Sequence, residues 1–142
     1  FARIVFSIVC IYVLWCLSVN NMHKNITYKF EKLLIWQKAM DLGEHVHKIS
    51  RQFPKEEMYN LTSQTIRSAD SIALNIAEGS ISQSNPEQHR FLGYSVRSIA
   101  ELITCLYKAK RREYINESDF KWIYQECFDL MNMTIGFKNK MK

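Results

Sequence analysis

Four successive runs of apolar residues, spaced alternately by three and four, constrain this chain more than any other feature, because that spacing follows the turn of an α-helix and matches no strand period. The first run covers about Leu33 to Arg51, with Trp36, Ala39, Met40, Gly43, Val46 and Ile49 leading to Phe53, and Phe53-Pro54 stops it. The second covers about Leu61 to Glu78 through Leu61, Thr65, Ala69, Ile72, Ala73 and Ile76, with Gly79 in the position favoured after a helix end. The third opens on a start signal, Asn85 as cap, Pro86 at the first helical position and Gln88 three residues after the cap. Its apolar positions Phe91, Leu92, Val96, Ile99, Leu102, Ile103 and Leu106 continue to about Arg112. The fourth begins near Asn116 or Ser118, with Glu117 and Asp119 in its first turn, and repeats Phe120, Ile123, Tyr124, Cys127, Leu130, Met131 and Ile135. Four amphipathic helices with short connections predict an all-α, antiparallel up-down-up-down four-helix bundle.

Composition agrees and excludes alternatives. Only four glycines and two prolines among 142 residues argue against turn-rich all-β, collagen-like and disordered chains, and 47% hydrophobic residues can fill one core. The bundle domain is expected over residues 22–142. Residues 1–21 stand apart: Ile4 to Val19 are sixteen uncharged residues, short for a membrane span and near the length of a signal-peptide core, without a small-x-small cleavage site. Three readings of this leader remain: in-frame translation upstream of a start at Met22, a membrane anchor or uncleaved signal, or an ordinary buried helix. A membrane partner follows only from the second.

Cys10 and Cys16 belong to the leader, while Cys105 and Cys127 fall in apolar helical patterns and read as core residues. With no CxxC pair or Cys/His cluster, a zinc site is not expected, and the domain fits a reducing compartment, the cytoplasm. His45 and His47 lie two apart and point to different sides of a helix, and no Glu-x-x-His pair recurs on two helices, so no metal site is expected. Nor is there a Gly-rich phosphate loop or a Ser-His-Asp arrangement, and no cofactor is expected.

On the second helix Gln64, Arg67, Ser71, Asn75 and Glu78, spaced three, four, four and three, form one polar stripe. Hydrolysis would require a second carboxylate or base opposite, and Glu101, paired with Ser98 on the third helix, is the obvious candidate. A structural polar network or subunit interface explains the stripe better, since Asn and Glu on bundle helices satisfy one another and fix register. The chain is read as non-enzymatic.

Charge is more suggestive. Removing Arg3 from the 19 basic residues leaves 18 against 14 acidic ones, and the excess is uneven. Lys108, Lys110, Arg111 and Arg112 close the third helix, where cations also suit the helix dipole. In an up-down bundle they share an end with Lys48, Arg51 and Lys55, while Lys138, Lys140 and Lys142 lie at the other end with Lys24, Lys29 and Lys32. Such ends suit nucleic-acid phosphates, and they also suit solubility alone; Tyr107 and Tyr114 could at most offer a stacking face to a single strand and read more often as core or interface residues. Leu34, Ile35, Leu42, Leu74 and Ala77 fall off the main stripes, which predicts self-association. An adaptor module that binds another protein and no nucleic acid is the alternative of different class.

FEKLLIWQKA at 30–39, FPKEE at 53–57, LTSQ at 61–64, SIALNIAEG at 71–79, FLGY at 91–94 and RSIAEL at 97–102 together resemble the four-helix bundle proteins encoded by intervening sequences in bacterial 23S ribosomal RNA genes, over about Tyr28 to Met133. The resemblance implies closed rings of five subunits. One branch, the accessory variability determinant of diversity-generating retroelements, implies nucleic-acid binding together with a reverse transcriptase. Ile66 stands where relatives are usually basic, and Ser80-Ile81-Ser82 stands where many carry an arginine, so both departures remove positive charge.

Overall fold

The computed structural model describes residues 27–82 and 84–141, and among them every regular element is helical. The leader Ile4 to Val19, the candidate start at Met22, Lys24 and Lys142 lie outside the described residues. The four helices are α1 (Leu34–Ser50), α2 (Ser63–Ser80), α3 (Asn85–Arg111) and α4 (Glu117–Asn139). A 3-10 turn, Lys29–Lys32, precedes α1; a second, Lys55–Glu57, and a π-helical turn, Met58–Thr62, lead into α2.

The ends follow local chemistry. Ahead of α1, Leu33 is extended and offers no side-chain cap, and Gln37 Nε2 reaches back to the Glu31 carbonyl (2.7 Å). Ser84, not Asn85, caps α3, its hydroxyl accepting from the Glu87 N–H (3.4 Å); Pro86 is then the second helical residue and Gln88 is buried. Both adjacent residues are good caps, and the extended backbone at Ser84 decides between them. Asn116 caps α4 through Asp119 N–H (2.8 Å). Although no glycine follows α3, Glu113 takes φ 60° there, and Tyr114 N–H returns to the Ala109 carbonyl (2.9 Å) while Glu113 N–H returns to that of Lys110 (3.1 Å). This is a Schellman closure, with a non-glycine residue in the left-handed position. Gly79 does not terminate α2; it sits buried in the last turn, where a Cβ would stand 3.0 Å from Phe91 Cβ and 3.4 Å from the Gln88 carbonyl oxygen. Its missing side chain lets α2 and α3 approach.

Each helix packs on the next, and α4 returns against α1. Cross-helix pairs run in opposite directions: Gln64 meets Glu101 and Ser71 meets Ser98 between α2 and α3, while Lys38 meets Glu126 and His45 meets Trp122 between α1 and α4. These pairings fit an up-down-up-down order. The centre holds Leu42, Val46, Ile72, Ile76, Leu92, Ile99, Leu102, Leu106, Ile123 and Leu130, all fully buried, with Cys105 and Cys127 among them. On α1 Ala39, Gly43, Val46 and Ile49 are buried as expected, but Ile35 and Leu42, expected off the stripe, are buried too, whereas Met40 is exposed and Trp36 only half-buried, its ring against Phe30 (5.1 Å between centroids). The apolar face of α1 is wider than the bundle interior, which takes Ile35, Ala39, Leu42, Val46 and Ile49.

Candidate functional site

Two interhelical connections meet at one end of the bundle, and a single carboxylate joins them. Glu57, in the turn entering α2, accepts from Leu61 N–H through Oε2 (3.3 Å) and, through Oε1, from Arg112 Nη1 (2.7 Å) and the Tyr114 hydroxyl (3.4 Å). Arg112 and Tyr114 belong to the α3–α4 connection, so the end of α3 is held beside Lys55 and the close of α1. Tyr114 also packs on the buried Phe53 (5.9 Å). It is committed to this joint and does not serve as a free stacking face.

Beside that joint the helices leave a concavity of about 510 Å³, lined by Gln64 and Arg67 from α2, Lys108 from α3, Arg112 from the α3–α4 connection, and Glu57, Tyr59 and Asn60 from the turn between α1 and α2. Arg67 and Lys108 are exposed and make no ion pair among the described residues. The four cations closing α3 do not form one patch, because successive helical residues turn by roughly 100°. Lys108 and Arg112, four apart, share the concavity. Lys110 turns away onto α4, where its ammonium lies 2.9 Å from Glu117 Oε2 and 4.2 Å from the Phe120 ring centroid. That hydrogen bond, aided by the charges of Lys110 and Lys121, holds the Glu117 carboxyl below its ordinary range. Arg111 is exposed, on the same helix face as the half-exposed Tyr107.

Above the concavity runs the α2–α3 seam. Gln64 Nε2 donates to Glu101 Oε1 (3.4 Å), the Ser71 and Ser98 hydroxyls share a hydrogen bond (3.0 Å), and Asn75 Nδ2 donates to the Ser71 carbonyl (2.7 Å) and hydroxyl (3.0 Å). Gln64, Ser71, Asn75, Ser98 and Glu101 are thus brought together, in two separate groups. Arg67 and Glu78 are not: both are exposed, and neither side chain hydrogen-bonds among the described residues. At roughly 100° per residue Arg67 and Glu78 both fall to the same side of Gln64, Ser71 and Asn75, Arg67 beside the concavity and Glu78 near the other end of α2.

This seam offers little for acid-base chemistry. Glu101 faces an amide rather than a second carboxylate or an imidazole, and its neighbours Ser71 and Ser98 bond each other. His45 packs its ring on Trp122 (4.1 Å) with Nε2 buried and unpartnered. Among the described residues no three His, Cys, Asp or Glu side chains are grouped to hold a metal ion. Burial raises the pKa of the Cys105 thiol and pushes that of Cys127 up to about 12, keeping both as thiols rather than nucleophilic thiolates.

Two further surfaces stand out. Between α1 and α2 an apolar groove of about 450 Å³ is lined by Phe30, Trp36, Met40, Leu74 and Ala77, with Glu44 and Asp70 also on its walls. Leu74 is 62% exposed and, near the same end of α1, Leu34 is 57% exposed. At the end of the bundle away from the Glu57 joint, Lys32, Leu34 and Lys140 line one shallow cleft, while Lys138 lies along α3 near Gly93. No described helix is long and apolar enough to cross a membrane.

Sequence reasoning did not single out Glu57 or Tyr59, nor associate Arg67 with the basic cluster. The available signal was the pair Glu56-Glu57 just before a helix start, where a carboxylate caps the first turn.

A family model described as 23S rRNA-intervening sequence protein matches residues 31–136. Among solved structures, a protein of unknown function from the S23 ribosomal protein family of Bacteroides thetaiotaomicron VPI-5482 is similar with a TM-score of 0.70 and 20% identity, over 75% of this chain and 96% of that chain. At that identity the likeness shows the fold alone. None of the curated proteins matches the chain. Neither the family's description nor the neighbour's names an activity.

Proposed function

This chain belongs to the family of 23S rRNA-intervening sequence proteins, and from that membership we propose that it is a non-enzymatic, oligomeric protein that binds RNA or DNA through the basic end of its bundle. One observation carries the reading: Arg67 from α2, Lys108 from α3 and Arg112 just beyond α3 line one concavity, with Arg111 exposed on the last turn of α3. Cations so placed neutralise backbone phosphates without reading base edges, so binding is tolerant of sequence and weakens steeply with salt. The exposed apolar groove between α1 and α2 supports self-association, and the number five comes from the resemblance. In a ring, each copy adds its basic end to a common rim.

Binding isotherms of the full chain with structured RNA and with duplex DNA, at several salt concentrations, test the reading. Changing Lys108, Lys110, Arg111 and Arg112 together to Gln should weaken both alike, lower the salt slope by about one for each phosphate no longer neutralised, and leave helicity and oligomer size intact. Within that set Lys108→Gln with Arg111→Gln should account for more of the weakening than Lys110→Gln, whose charge is already met by Glu117. The groove also favours an adaptor that seats another protein, such as a reverse transcriptase, and undetectable binding by the unaltered chain at low salt would select that reading.

A further inference from the structure

The concavity at the basic end has a charge balance that a nucleic-acid backbone does not require. Three cations, Arg67, Lys108 and Arg112, face one carboxylate, Glu57, an excess of two positive charges around a single space. A phosphodiester carries one negative charge and comes as one of a row, for which cations strung along a face suffice. A terminal phosphate monoester carries about −1.5 to −2 near pH 7 and presents three acceptor oxygens around one phosphorus. It is best met by donors that converge.

Here they converge. Arg67 lines the concavity from α2, Lys108 from the last turn of α3 and Arg112 from the residue that follows that turn. Glu57 acts as a positioning residue: its 2.7 Å bond to Nη1 fixes the Arg112 guanidinium at the edge of the concavity and leaves other N–H groups of that fork free to donate. Gln64 also lines the wall, its amide nitrogen turned to Glu101 (3.4 Å). Tyr59, 89% exposed, lines the same space and offers a ring on which a terminal base can stack. The volume, about 510 Å³, lies in the range of small-ligand sites.

We propose that this concavity takes the phosphorylated end of a nucleic-acid strand, a phosphate monoester, so that the protein distinguishes strand ends from strand interiors. The proposal rests on the nucleic-acid reading above and adds which part of the strand is held.

Fluorescence anisotropy of the full chain with one short single-stranded RNA, labelled internally and carrying a 5′-phosphate, a 3′-phosphate or hydroxyls at both ends, tests it at fixed salt. A phosphorylated end should bind about tenfold tighter than the hydroxyl-ended RNA, the difference expected of one or two added charge-assisted hydrogen bonds. Arg67→Gln, at an exposed side chain with no hydrogen-bond partner among the described residues, should bring that ratio within about twofold while circular dichroism stays unchanged. Uridine 5′-monophosphate and inorganic phosphate, added as competitors, should displace the phosphorylated RNA only at concentrations far above its own Kd. Equal affinity for phosphorylated and hydroxyl-ended RNA would overturn the proposal and leave nucleic-acid binding standing. A ratio untouched by Arg67→Gln would overturn the placement, and competition by the mononucleotide at the RNA's own Kd would give the site to a free nucleotide instead. Failure of every RNA to bind would remove the broader reading as well.

Discussion

Helix α2 packs against α3 on one side and α1 on the other, and the two seams are built on different plans. Toward α3 it presents Ser68, Ala69, Ser71, Ile72 and Gly79, and α3 answers with Ser95, Ser98 and Ile99. The backbones come close enough for the Ser95 hydroxyl to donate to the Ile72 carbonyl (3.2 Å). Toward α1 the same helix presents Asp70, Ala73, Leu74 and Ala77, and a groove remains that Trp36, Met40 and Phe30 only partly fill. Small side chains thus have opposite consequences. Where small residues face small residues and their hydroxyls find partners, the helices close; where alanines face large flexible side chains, they leave room.

The largest expected contrast sets the bundle centre against the open seam, Leu102→Ala against Leu74→Ala. Leu102 is wholly buried, and its truncation should cost about 2–5 kcal/mol, whereas Leu74→Ala should stay within about 0.5 kcal/mol. Urea midpoints at constant m would show it, and equal effects would mean that the groove is closed in the isolated chain. Trp36→Ala, expected from sequence alone to cost as much as a core truncation, should fall between the two because the indole is half-buried.

Next in size is Gly79→Ala. The new methyl would meet Phe91 Cβ and the Gln88 carbonyl, which cannot move without shifting α3, so overpacking of about 1–3 kcal/mol outweighs any gain in helix propensity so near the helix end. Thermal melts should show a lowered midpoint. The smallest effect has the opposite sign. At Gly43, on the groove side of α1, the nearest atom to an added Cβ is Asp70 Oδ1 at 3.8 Å, so Gly43→Ala should raise stability by about 0.5–1 kcal/mol. Two destabilising results would make both seams tight and end the comparison.

Sequence periodicity places the starts of all four helices within about two residues of those observed, because each helix carries several turns of apolar spacing and the connections are rich in breakers. It does not rotate α1 correctly. Ile35 and Leu42 at one edge of its apolar face and Trp36 and Met40 at the other flank the shared positions Ala39, Gly43, Val46 and Ile49, and only the position of the neighbouring helices decides which edge is interior. Gly79 reads as a stop signal because glycine serves both ends and close approaches, and nothing local separates the two uses. The basic run at 108–112 is legible as charge, but its division is not: Lys110 and Arg112 lean on Glu117 and Glu57, partners at 7 and 55 residues' separation. Arg67 joins the site for the converse reason, since its neighbours in space lie on another helix.

The Glu57 clasp has a consequence for the order in which the molecule assembles. Its bonds to Arg112 and Tyr114 span 55 and 57 residues, and closing them requires α2 and α3 to have docked and α3 to have ended in its left-handed turn. A contact of that separation gains nothing until the chain between has already lost its freedom. The clasp therefore belongs to the far side of the folding barrier, and Glu57→Gln should hasten escape from the native state while leaving the refolding rate nearly as it was. A carboxylate that aims an arginine at a phosphate would in this way also set how long the bundle stays closed.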